Sequence, residues 1–289
     1  MLSKLMFWRQ KAPQLNVDAS DVVSDADYVD PRDCGLVDLV QSGWFQNESG
    51  ELFQGFPIGG DDVVLDVGCG AGFATMFAAS RGAHVIFSDV VAEKVENLRE
   101  RVVATPARTA QGLVSDSDPL PLADATATRV AALEMLEHVS DPQKVMRELV
   151  RVGKPGALYL LAVPDARSEH MQQGLAPQSY FSAPNHIHVF SREQFARLVE
   201  DAGLIIEHRG TYGFFWSMWM LIYWTWAKST GQDLDSIPHD VVQPPYPQIV
   251  NDWAKLWHAI IKMPASDSMK NALDELLPKS QVIVARKPL

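Results

Sequence analysis

The sequence predicts an α/β fold: a mostly parallel seven-stranded sheet with helices on both faces. Two observations carry this. From Asp62 onward short apolar runs alternate with helical patterns, the rhythm of strand–helix–strand crossovers. The first apolar run, Val63-Val64-Leu65, ends in Asp66 and opens onto glycines at alternate positions, Gly68, Gly70 and Gly72. A buried strand, a tight glycine turn and a helix bring backbone close to a ligand at the helix N-terminus.

Taken in order, the N-terminal stretch Met1–Pro13 has Lys4 and Arg9 around a short apolar patch. It lacks a signal-peptide core and reads as a frayed or packing segment. Residues 14–30 are acidic and predict a loop with a short helix, and residues 31–58 predict a helical cap with an aromatic segment near the glycine turn. Strands are expected at 62–67, 83–88, 110–114, 129–133, 157–163, 204–209 and 281–286, and helices at 72–81, 91–103, 141–152 and 191–202. Two interruptions, 164–190 and about 211–279, read as elaborations over the ligand edge of the sheet. Within the second, 233–247 predicts a Pro-rich acidic loop, 249–262 an amphipathic helix and 266–277 another helix. The expected organisation is a cap (1–60), a core (61–210 plus 280–289) and an aromatic helical insertion (211–279) covering the substrate.

Composition narrows the function. The chain has 289 residues, 47% of them hydrophobic, and a net charge of −11. That supports a substantial core and opposes binding to a nucleic-acid backbone. Two cysteines, Cys34 and Cys69, make no disulfide framework and fit the reducing cytoplasm.

The glycine turn excludes two common ligand loops: it has no Lys-Ser/Thr pair, and its spacing is D-x-G-x-G-x-G rather than G-x-G-x-x-G. The second strand ends in Asp89, an acid that can accept both hydroxyls of a ribose or cap the next helix. After the third strand stand Ser115 and Asp116, and after the fourth comes Glu134-Met-Leu-Glu-His-Val-Ser-Asp-Pro142. Next are Arg147-Glu-Leu-Val-Arg-Val-Gly-Lys-Pro-Gly156, His188-Val-Phe-Ser191 running on to Gly203, and Ser280–Pro288. This ordered set resembles the class I S-adenosylmethionine-dependent methyltransferases of the small-molecule type, similar to those of the ubiquinone pathway. It covers about residues 60–210 and 280–288. It departs from the family pattern at Gly153 and Ala157 in a structural turn.

The resemblance implies a Rossmann-like methyltransferase fold whose last strand is antiparallel. It implies S-adenosylmethionine as cofactor and S-adenosylhomocysteine as product, held by Asp66, Gly68, Gly70, Gly72, Asp89, Ser115, Asp116 and Glu134. The expected reaction is methyl transfer to a small apolar or aromatic acceptor, most readily at oxygen. His138 is the candidate base with Glu137 beside it; it can equally cap or pack the following loop. Tyr180, His186, His188 and Trp216 are candidates for the acceptor pocket.

Two alternatives stand beside this reading. Glu134, Glu137 and His138 form E-x-x-E-H and, with His188 or His186, suggest a divalent-metal site. Such a set resembles that of RNA 2′-O-methyltransferases and also occurs in ubiquinone-pathway enzymes; the preferred reading has no metal. The other alternative is a non-catalytic module that only binds the cofactor. Residues 210–227 carry no formal charge. They read as a buried helix, an apolar pocket wall, or a homodimer or membrane-surface contact; a transmembrane span would break the sheet.

Overall fold

The computed structural model describes residues 30–234 and 246–289. The segment expected to fray at 1–13, nearly all of the acidic stretch at 14–30 and most of the Pro-rich loop at 233–247 lie outside the described residues. The described chain begins with helix α1 (Pro31–Gln41), capped by the Asp30 carboxylate accepting from Arg32 N. Here the structure corrects the sequence reading. The segment after α1 is not helical but three short antiparallel strands, β1 (Trp44–Gln46), β2 (Glu51–Phe53) and β3 (Phe56–Pro57). Aromatic residues suit a half-buried pleated surface, and Asn-Glu-Ser-Gly50 and Gln54-Gly55 make the turns between strands. Trp44 packs on Phe53 and Tyr212, with ring centroids 5.0 and 5.2 Å away.

Beyond this hairpin the expected rhythm is realised. β4 (Val63–Val67), α2 (Phe73–Ser80), β5 (His84–Asp89), α3 (Ala92–Val102) and β6 (Thr109–Val114) build one half of the sheet. β7 (Ala127–Leu133), α4 (Pro142–Val152), β8 (Gly153–Pro164), α5 (Ala166–Gln172), α6 (Arg192–Asp201) and β9 (Ile205–Tyr212) build the other. The helices start where side chains can cap them. Asp141 accepts from Lys144 N ahead of α4, and Ser191 and Gln194 form a reciprocal capping box on α6; such caps contribute about 1 kcal/mol each.

Three helices then precede the last strand: α7 (Phe214–Ser229), α8 (Gln248–Ile261) and α9 (Ser266–Leu276), followed by β10 (Ser280–Arg286). The seven-stranded order is β6-β5-β4-β7-β8-β10-β9. β10 runs antiparallel to both neighbours, and the other pairings are parallel.

Both sheet faces are covered, which explains the unbroken apolar run in β8. Leu158, Leu160 and Ala162 face α2, α3 and the hairpin, while Tyr159, Leu161 and Val163 face α4 and α6. The aromatic insertion forms a separate layer. α7 packs with α1 and α8 around Phe215, Trp219, Tyr223, Trp224 and Trp257. It runs 16 residues, and no helix among the described residues is long and apolar enough to cross a membrane. Its union with α1 is tight: a Cβ at Gly35 would lie 2.4 Å from the Trp216 ring.

The topology positions a site. From β4 the chain moves outward to β5 and β6, then returns on the opposite side of β4 as β7. The carboxyl end of β4 is therefore a switch point, where open parallel sheets take their ligands.

Candidate active site

The glycine turn leaves β4 at this switch point. Gly68, Gly70 and Gly72 all have positive φ, at 70°, 49° and 86°. A Cβ at Gly68 would lie 2.7 Å from Met135, and one at Gly72 would lie 2.3 Å from Leu98. At Gly70 nothing is nearer than the Gly68 carbonyl oxygen at 3.9 Å. Two glycines thus allow close packing, and the third keeps space open along the turn for a ligand.

Acids at the ends of two strands brace the turn. Asp66 is buried and accepts from both the amide and the hydroxyl of Thr75, at 3.0 and 2.6 Å, fixing the start of α2. Burial, with the nearby Asp89 charge, pushes its carboxyl up to about 6. Asp89 accepts from Gly70 N at 3.0 Å and Val91 N at 2.9 Å, so its carboxylate faces the turn and also starts α3. Farther along the same edge, Ser115 Oγ accepts from Ser117 N, and Asp116 is exposed with one oxygen accepting from Asp118 N.

A second constellation sits after β7. The Glu137 carboxylate is fully buried, and neither oxygen has a hydrogen-bond partner. Burial and then the Glu134 charge push its carboxyl well above the usual range. The loop before α6 is stitched onto this turn: Ile187 N and His188 N donate to the Glu137 carbonyl at 3.0 and 3.2 Å. His138 Nδ1 lies 3.2 Å from the Pro184 carbonyl oxygen, and its Nε2 points toward Glu137 at 3.6 Å. Burial, then the neighbouring His186, lowers the His138 pKa. His186 Nδ1 lies 2.8 Å from Glu169 Oε2, and its ring packs on Tyr180 and His138, with centroids 4.6 and 5.1 Å away.

Residues 39–209 match a family model described as a methyltransferase domain, which is more than half of the chain. The chain belongs to this methyltransferase family. Among curated relatives, methyltransferase GfsG of Streptomyces halstedii is 30% identical over 162 residues, covering 53% of this chain and 56% of the relative. A ubiquinone biosynthesis O-methyltransferase of Aeromonas salmonicida is 23% identical over 177 residues, covering 59% and 71%. The match therefore spans only about half the length of the first relative. Similar solved folds include a putative methyltransferase from a Haloferax volcanii complex with the Trm112 activator. It has a TM-score of 0.51 and 20% identity, covering 81% of this chain and 85% of that one. A putative methyltransferase of Bacillus halodurans has a TM-score of 0.51 and 17% identity, covering 80% and 95%. The family model and the solved structures thus agree on a methyltransferase fold.

The fold brings together some of the residues singled out from sequence and separates others. The glycines, Asp66 and Asp89 meet at the turn, and Glu137, His138 and His186 meet after β7, with one ligand-type atom of each within 4.8 Å of the others. Of the alternative metal set, Glu137, His138 and His186 lie together, while Glu134 and His188 are engaged elsewhere. Glu134 pairs with Lys279 at 3.2 Å, and His188 Nε2 turns to the Val139 carbonyl oxygen at 2.9 Å. Trp216, a pocket candidate, is turned to α1. The α7 ring that reaches Tyr180 is Trp224, 6.2 Å away and donating to Gln172 Oε1 at 3.3 Å. Sequence reasoning missed Glu169, Lys279 and Trp224. A signal existed for the first: behind the N-cap Asp165, Glu169 and Gln172 stand one turn apart on α5 and bury the same face.

The raised Asp66 pKa has a measurable consequence. An acid at about 6 in the fold and 3.8 when free in the unfolded chain holds its proton more tightly when folded. Its contribution to stability is present below pH 4 and is lost as pH rises toward 6, by up to about 3 kcal/mol. Asp38, also pushed to about 6 by burial, acts in the same sense. Urea unfolding from pH 4 to 7 should thus show Asp66→Asn gaining relative to wild type as pH rises; a pH-independent difference would refute this.

Proposed function

We propose that this methyltransferase transfers the methyl group to a hydroxyl of a small, apolar or aromatic acceptor. The observation that carries the reading is the cluster of two buried carboxyls, Glu137 and Glu169, with the His138 and His186 imidazoles, walled by the Tyr180 ring. Oxygen acceptors gain from losing a proton during transfer, whereas carbon or nitrogen acceptors have less use for such a cluster. Relatives named for O-methylation in ubiquinone biosynthesis support the same atom.

The chain's residues take these roles. The open face of Gly70 and the free end of α2 would hold the cofactor backbone, Asp89 the ribose hydroxyls, and Ser115 and Asp116 the adenine edge. Asp66 keeps the turn and α2 in register. Glu134, paired with Lys279, would also contact the cofactor. When bound, S-adenosylmethionine supplies a methyl group already activated on a sulfonium sulfur. The protein's task is then to hold the acceptor close and aligned. The layer of α7, α8 and α9 (the 211–279 insertion) would cover the acceptor, with Tyr180 as its inner wall. The buried free cysteines fit a cytoplasmic enzyme.

Calorimetry with S-adenosylmethionine, followed by labelled-methyl transfer to a panel of phenols and to matched anilines, tests the reading. Transfer to the anilines alone would overturn it. Exhaustive chelation is expected to leave the rate unchanged; a loss restored by added Mg²⁺ or Zn²⁺ would refute metal-free transfer.

A further inference from the structure

We propose that Glu169 and His186 form the proton-accepting pair for the acceptor hydroxyl, with His186 Nε2 as the base and Glu169 as its positioning residue. This rests on the hydroxyl acceptor proposed above.

The two histidines after β7 differ in what their nitrogens already do. His138 has both directed at protein groups: Nδ1 at the Pro184 carbonyl oxygen, 3.2 Å away, and Nε2 at the Glu137 carboxyl, 3.6 Å away. A base needs a lone pair facing the substrate, and the lone pair on His138 Nε2, though not hydrogen-bonded, is directed at the Glu137 carboxyl. His186 is engaged through Nδ1 alone among the described residues.

Its partner, the Glu169 carboxylate, is fully buried, and its other oxygen has no donor. A carboxylate with one hydrogen bond in a dry setting holds that bond strongly. With the Glu169 carboxylate as acceptor, Nδ1 of His186 carries the proton and Nε2 carries the lone pair. The ring cannot flip without leaving Glu169 unpaired in the interior.

The surroundings hold this geometry. His186 N donates to the Tyr180 carbonyl at 3.1 Å, and the next two amides donate to the Glu137 carbonyl. The Tyr180 ring closes one face of the imidazole. The charged or titratable groups facing His186 are Glu169 from α5, Tyr180 from the loop before α6, and His138 and Glu137 from the turn after β7. The His186 side chain is 12% exposed and that of His138 is 36% exposed. A proton taken at the buried end therefore passes outward beside a ring open to solvent.

The step balances. The acceptor O–H bond breaks and its proton goes to His186 Nε2. An oxygen lone pair forms the bond to the methyl carbon, and the carbon–sulfur bond breaks with its electrons kept by sulfur. The products are the methyl ether, S-adenosylhomocysteine and an imidazolium held by Glu169, which returns its proton to water.

The test compares wild type with Glu169→Gln and His186→Asn, using catechol and 4-nitrocatechol as probes. 4-Nitrocatechol is largely ionised near neutral pH and has little need of a base. With catechol, kcat is expected to fall about 100-fold or more in His186→Asn and about 10-fold or more in Glu169→Gln. With 4-nitrocatechol both losses should shrink to a few-fold, and the Kd for S-adenosylmethionine by calorimetry should stay within about twofold. Nitrogen-15 spectra of histidine-labelled protein should show His186 protonated at Nδ1, a preference lost in Glu169→Gln whether or not that variant turns over. Equal losses with both probes, no loss, or an Nε2-protonated His186 in wild type would overturn the proposal. So would a wild type that binds the cofactor yet methylates neither probe. Absence of cofactor binding by wild type would instead strike the functional reading, and calorimetry reports it separately.

Discussion

Asp89→Ala is expected to weaken S-adenosylmethionine binding by about 100-fold or more, with the fold retained. The ribose of the cofactor offers two hydroxyl donors, and a hydrogen bond to an ionised partner contributes about 1.5–3 kcal/mol. The same carboxylate has a structural duty: it accepts from Gly70 N and Val91 N, and so pins the glycine turn to the start of α3. Alanine removes both functions at once, and the released turn loses its preorganisation. Asp89→Asn separates them. It keeps one acceptor oxygen for a backbone amide and loses the charge, so its deficit should be intermediate, about 10-fold. Calorimetry measures both, and circular dichroism checks the fold. Unchanged binding in Asp89→Ala would remove the acid from the cofactor site and leave it a helix-starting residue.

How far the site was legible depends on how local its causes are. Glycines at 68, 70 and 72 have a local cause, since positive φ and close packing at Met135 and Leu98 leave little choice of residue. Asp89 follows directly on a strand, so its place at the ligand edge is readable from the strand pattern alone. The pairing of Glu169 with His186 has no local cause. The residues are 17 apart and meet because α5 and the loop before α6 are both fastened to the carboxyl edge.

The aromatic insertion shows a different limit. α7 is apolar nearly all round, so no periodicity marks which face meets which neighbour. Trp216 and Trp224 lie eight residues apart and look equivalent as sequence. Packing against Gly35 sends one to α1, and the bond to Gln172 sends the other toward Tyr180. The misread cap has the same root. Leu36, Val37, Leu39 and Val40 make a helical pattern that is real over 31–41. The aromatics after it carry no helical period of their own, and their burial against the sheet beside Tyr212 decides for strands.

Lys270→Ala is expected to destabilise the protein by about 3–5 kcal/mol, a larger loss than any single apolar deletion on the surface of the helical layer. Lys270 is 1% exposed and lies between two buried acids. Its ammonium is 2.5 Å from Asp274 Oδ2, 2.5 Å from Ser42 Oγ and 3.5 Å from Asp38 Oδ1. Asp38 Oδ1 also accepts from Trp257 Nε1 at 2.8 Å, and Asp274 Oδ1 accepts from Phe214 N at 2.8 Å. One cation thereby joins α1, α7, α8 and α9, the layer proposed to cover the acceptor. Without it two carboxylates remain in a dry interior with too few donors, and at least one must take a proton. Asp38 is already pushed to about 6 by burial, even with Lys270 beside it, and loss of the cation raises it further. The variant's deficit should therefore grow as pH rises from 5 to 8, because charging Asp38 becomes the added cost. Urea unfolding at both pH values measures it. A triple variant, Asp38→Asn, Lys270→Met and Asp274→Asn, should recover most of the loss by removing the charges together. A deficit under about 1 kcal/mol in Lys270→Ala would mean that water reaches the network and that the layer is held by its apolar contacts alone.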